Sequence, residues 1–161
     1  METREVIELS RQSALTPEAE AELRKPSFRE RIYRELHSGP TREDRNLLLR
    51  MLNLEAKYRS DDSNDGEHFE NLYWCGLLLH QVMAPEDALP MWSAKHVNFD
   101  TGCGFDIQFL VGAGVDETLL FLRGVGDTSA SKAADYIDEC REAGDFDDLP
   151  SWLEDRIRYF A

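Results

Sequence analysis

The stretch FENLYWCGLLLHQVM, Phe69 to Met83, decides the fold. Wound at 3.6 residues per turn, it carries apolar residues on nearly every side, the pattern of a helix surrounded by other elements. Its apolar part, Leu72 to Val82, is shorter than the roughly 18 residues a membrane-spanning helix needs, and it contains His80 and Gln81. A central, buried helix is expected, with the rest of the chain packed around it.

Toward the N-terminus the signals are also helical. Thr16-Pro17 places a cap residue before a proline at the first helical position, and Glu18 and Glu20 follow near the positive end of the dipole. That helix should stop near Pro26, with Ser27 capping a second one, FRERIYRELH, that ends at Gly39-Pro40. Thr41 and Asp44 form a capping-box pattern that opens a longer helix to about Arg59. Leu47, Met51, Leu54 and Tyr58 recur along it at helical spacing, with Leu48 and Leu52 widening the face.

Beyond Met83 the punctuation is denser. Leu89-Pro90-Met91-Trp92 begins another helical piece, and the glycine-bearing stretch Asn98 to Gly104 reads as a loop with Gly102 and Gly104 at positive φ. FDIQFLVGAG and VDETLLFLRG read as two short helices separated at Gly112 and Gly114. Ser129 or Ser131 should cap SKAADYIDECREAG, which stops at Gly144. A last helix runs from Pro150 with Trp152, Leu153, Ile157 and Phe160 facing inward. Alternation of period two never persists, and IQFLV is the only strand-like run. The expected fold is all-α: one domain over residues 1–161, a compact bundle or helical-hairpin array of about eight helices. D-x-L-P-x-W occurs at Asp87–Trp92 and again at Asp147–Trp152, which raises the prospect of a helical repeat.

Charge is unevenly placed in a chain whose formal net charge is −14. Residues 1–60 hold 12 Lys and Arg against 11 Asp and Glu, whereas residues 61–161 hold 6 against 21. Such a surface repels phosphate backbones and attracts basic partners, so nucleic acid is not an expected ligand. The N-terminal cations Arg24, Lys25, Arg29, Arg31 and Arg34 are interleaved with Glu22, Glu30 and Glu35, as on a salt-bridged helix surface. METREVIELS lacks the basic start and apolar run of a secretory signal, and Cys75, Cys103 and Cys140 are widely spaced. Both features point to reduced thiols and a cytoplasmic location.

Several stretches resemble chemical motifs. Phe99-Asp100-Thr101-Gly102 is spelled like an aspartic-protease site, but it occurs once and its flanks are helical, so a shared-proton carboxylate pair is not expected. Cys103, with His96 seven residues upstream, makes a thiol or carboxylate hydrolase centred on His96–Asp106 a minor alternative. Asp61 to Gly66 imitates the start of a calcium loop, yet Leu72 stands where the bidentate Glu belongs. The four histidines show no ligand spacing, and GAG and GVG lack a preceding strand, so neither a metal nor a cofactor is expected. Tyr73, Trp74 and Trp92 are assigned to the core.

The acidic surface remains. Asp135, Asp138, Glu139 and Glu142 fall at i, i+3, i+4 and i+7 on one helical stripe, with Ala133, Ile137 and Cys140 facing inward. Its four like-charge pairs cost an isolated helix about 1–2 kcal/mol together. Asp145, Asp147 and Asp148 extend the same field. These seven residues are the expected partner-binding site. In size, helical content and acidity the chain is similar to the immunity proteins that bacteria keep against their own secreted toxins. That resemblance implies a non-enzymatic protein that covers a basic partner with carboxylates. The alternative is a helical-repeat adaptor that binds a peptide or protein in an apolar groove.

Overall fold

The structure, a computed structural model, describes residues 1–12 and 14–161. Those residues form ten α-helices and no strand. They are α1 (Thr3–Gln12), α2 (Pro17–Leu23), α3 (Pro26–Leu36), α4 (Arg45–Ser60), α5 (Asn71–Val82), α6 (Ala88–Lys95), α7 (Phe99–Gly104), α8 (Val115–Val125), α9 (Thr128–Glu142) and α10 (Leu149–Phe160). Three 3₁₀ turns lie at Arg42–Asp44, Pro85–Asp87 and Ile107–Val111, the last being the strand-like IQFLV run. The all-helical class is as expected, but the count of about eight falls short. The two helices absent from the sequence reading are α1, which buries only Thr3, Val6 and Ile7, and the glycine-containing α7.

The central element is α5. Leu72, Cys75, Leu77, Leu78 and Leu79 are shut off from solvent against α3, α4 and the Ile107–Val111 turn. Burying each large aliphatic side chain stabilises the fold by about 1.5–3 kcal/mol. Gly76 leaves room on one side of the helix for the rings of Phe105 and Phe109, which meet edge to face at 5.0 Å. Met83, in the left-handed conformation, ends the helix. No helix among the described residues is long and apolar enough to cross a membrane.

On α4 the buried face is Leu47, Leu48, Met51, Leu52, Glu55 and Arg59, whereas Leu54 and Tyr58 are only partly covered. Glu55 goes inward because it accepts both prongs of Arg29 at 2.6 and 3.0 Å and the Tyr33 hydroxyl at 2.9 Å. Arg29 also donates to the Leu23 carbonyl at the end of α2. The pairing expected on the basic N-terminal part therefore takes two forms. Lys25–Glu22 and Arg34–Glu30 are surface pairs, but Arg29–Glu55 is a buried one that ties α2, α3 and α4 together.

Helix ends follow local chemistry. The Thr16 hydroxyl accepts from the Ala19 N–H, and the Asp44 carboxylate accepts from the Thr41 N–H at 2.8 Å. Pro26 is the first residue of α3, not the end of α2, so Ser27 is no cap; the fixed proline φ suits that position. Asp127, rather than Ser129 or Ser131, caps α9 by accepting from the Ala130 N–H at 2.7 Å. The two D-x-L-P-x-W segments have different surroundings. Asp87 is buried on Arg45 at 2.5 Å, whereas Asp147 is exposed; Pro90 is the third residue of α6 and Pro150 the second of α10. These differences give the sequence echo no support as a structural repeat.

Candidate functional site

Helix α9 separates its residues as its spacing requires. Ala130, Ala133, Ala134, Ile137 and Cys140 are buried toward α6 and α8, which leaves Asp135, Asp138, Glu139 and Glu142 on the outer side. The repulsion within that stripe is relieved mainly from the neighbouring helix. Arg123 of α8 meets Asp135 at 2.8 Å and Asp138 at 3.0 Å, while Arg141 meets Asp138 at 2.7 Å and Asp116 at 3.0 Å. Spacing along α9 could not reveal Arg123, because its partners lie on a different helix. Between Asp116 and Arg123, at helical spacing from both, Leu120 stands 70% exposed.

Past α9 the chain turns at Gly144 (φ +88°) and passes through the other three expected residues. Glu139, Glu142, Asp145 and Asp147 make no ion pair among the described residues. Asp148 caps α10 by accepting from the Ser151 N–H at 3.3 Å. Asp145 has a second effect, since burial and then its carboxylate push the Cys140 thiol up. Of the seven expected residues, Asp135 and Asp138 are thus held by arginines, Asp148 serves a helix end, Asp145 lies against the Cys140 thiol, and Glu139, Glu142 and Asp147 are uncommitted carboxylates at the surface.

The His96–Asp106 stretch is arranged differently from the expected loop. Its residues form α7, capped by the Asn98 side chain, which accepts from the Thr101 N–H at 2.9 Å. Gly102 and Gly104 have helical backbone, which corrects the expectation of positive φ. Lys95 lies beneath the end of this helix, donating to the Gly102 and Phe105 carbonyls at 2.6 Å each, and burial pushes its ammonium down. Asp106 is engaged by Arg156 at 2.7 Å and by the Trp152 indole at 3.0 Å. His96 donates to the Trp92 carbonyl at 2.8 Å. No hydrogen bond joins any two of His96, Asp100, Cys103 and Asp106 among the described residues. In the Asp61–Gly66 stretch, the Asp61 carboxylate accepts from the Ser63 N–H and hydroxyl. No group of three or more His, Cys, Asp or Glu among the described residues is placed to hold a metal ion.

A cleft of about 570 Å³ is built from other elements and was not legible in the sequence. α3 supplies Glu30 and Arg34, the turn before α5 supplies His68, Phe69 and Glu70, α5 supplies Trp74, and the end of α10 supplies Tyr159 and Phe160. Trp74, assigned to the core, is indeed almost fully buried, yet it borders this cleft and stacks on Phe160 at 5.2 Å. Its indole donates to His37 Nδ1, and His37 Nε2 donates to the Ile157 carbonyl. Comparison of the chain with protein-family models, with curated proteins and with solved structures finds no match.

Proposed function

We propose that the protein is a non-enzymatic binding protein that neutralises a basic protein partner, in the manner of an immunity protein against a toxin. Its contact surface is the outer side of α8 and α9 with the turn that follows. The observation that carries this reading is the set of carboxylates without an ion pair among the described residues, Glu139, Glu142, Asp145 and Asp147, beside a ridge whose Asp116, Asp135 and Asp138 are held in place by arginines. Charges fixed before encounter lose little side-chain freedom on binding. The field of a molecule at −14 draws in a basic partner and sharpens partner choice more than it raises affinity.

The test is capture of the partner from lysate of the source organism at low and moderate salt, followed by association kinetics with the purified pair. A basic protein should be recovered stoichiometrically, and its association should slow steeply as salt rises. Replacing Asp135, Asp138, Glu139 and Glu142 together by Ser should slow association while the far-ultraviolet circular dichroism stays unchanged. A salt-independent on-rate, or a quadruple variant that associates as fast as the parent, refutes the assignment of this face.

A further inference from the structure

We propose that the cleft beneath the end of α10 binds a zwitterionic small molecule with an aromatic or large apolar body, of which an aromatic α-amino acid is the simplest member. This site is independent of the acidic face. Its volume, about 570 Å³, falls within the roughly 300–1,000 Å³ of small-molecule pockets. Phe69, Trp74 and Phe160 give it an apolar floor, with the Trp74 and Phe160 rings stacked 19° from parallel.

The polar rim decides the class of ligand. Both oxygens of Glu30 are already engaged, one by Arg34 at 2.5 Å and the other by His68 Nδ1 at 2.6 Å. His68 reaches Glu30 from a left-handed backbone (φ +60°), a conformation that non-glycine residues hold only where the surroundings enforce it. Glu70 is less committed: Oε1 accepts from the Tyr159 hydroxyl at 2.6 Å, and Oε2 has no partner among the described residues. Arg34 spends only one guanidinium nitrogen on Glu30, which leaves Nε and Nη1 to donate, and its Cζ lies over the Trp74 ring, 5.5 Å from the centroid. The cleft therefore offers one carboxylate with a spare acceptor and one guanidinium with spare donors above an aromatic floor. A ligand ammonium satisfies Glu70, a ligand carboxylate accepts a charge-assisted hydrogen bond from the Arg34 guanidinium, and the apolar body covers the rings.

Calorimetric titration with L-phenylalanine, phenethylamine and 3-phenylpropionate tests the assignment, with the Trp74 indole N–H resonance as a site reporter identified through Trp74→Phe. L-phenylalanine should bind at least about tenfold more tightly than either half-charged analogue and should shift the Trp74 resonance. Glu70→Gln and Arg34→Gln, both at exposed positions, should each weaken it by about tenfold without moving the urea midpoint. The proposal is overturned if L-phenylalanine does not bind, if either analogue binds as tightly, or if binding leaves the Trp74 signal and both variants unaffected.

Discussion

Gly112 lies so close to the His80 carbonyl that a methyl group there would overlap backbone, which has no means of stepping aside. Gly112→Ala should destabilise the protein by about 1–3 kcal/mol or more, read from the urea midpoint. Gly102 is the control, since its Cβ would meet the Lys95 carbonyl at an ordinary 3.7 Å. Because it sits in helical backbone, Gly102→Ala should be neutral or stabilising by up to about 1 kcal/mol. The Arg29–Glu55 pair, with both side chains 1% exposed, sets a different kind of limit. Glu55→Ala strands a buried guanidinium and should cost about 3–5 kcal/mol in the same assay. That pair was only half legible. The sequence shows Arg29 among glutamates and places Glu55 on the stripe of Leu48, Met51 and Leu52, but nothing local pairs the two across 26 residues.

Elements read from the sequence differ in how much of their burial is their own. α5 was legible because its residues are apolar on all sides, so no neighbour is needed to explain them. α9 was legible because small and apolar residues alternate with acids at helical spacing. α1 was missed because its inward face is only Thr3, Val6 and Ile7, and its position rests on side chains from distant elements, including Arg11 on Asp44 at 2.8 Å. α7 was read as a loop because glycine favours loops, whereas here Gly104 leaves space for the Tyr73 ring. The cleft was invisible for another reason: it joins residues of α3, α5 and α10 that no motif connects. α10 has no fully buried residue and is held by Trp152, Leu153, Ile157 and Phe160 at partial burial and by polar ties to His37, Glu70 and Asp106. Hydrogen exchange should therefore find the α10 amides opening well before those of α5, at a lower free energy than global unfolding. Equal protection of the two helices would contradict that ranking.

Across the whole molecule, charge and burial set the response to solvent. At −14 the chain repels itself, so added sodium chloride at pH 8 should raise the melting temperature until the repulsion is screened. Acid acts partly through His80. Burial pushes its imidazole below the ordinary value of about 6.5, outweighing the hydrogen bonds to the Gln108 and Phe109 backbone that work the other way. Well above pH 6.5 the ring is neutral in both states and adds no pH dependence. Below it the unfolded chain takes up the proton that the folded protein resists, so stability falls as pH drops from about 6.5. The buried carboxyl of Asp87, raised by burial, acts in the opposite sense. His80→Gln should flatten the decline in urea midpoint between pH 7 and pH 5, and an unchanged slope would assign that limb to other groups. The sulfurs respond to opening in yet another way. Cys75 and Cys140 are buried while Cys103 faces solvent. A maleimide should therefore attach once to the native protein and three times to the unfolded chain, so the mass gained over time becomes a clock for how often the core comes apart.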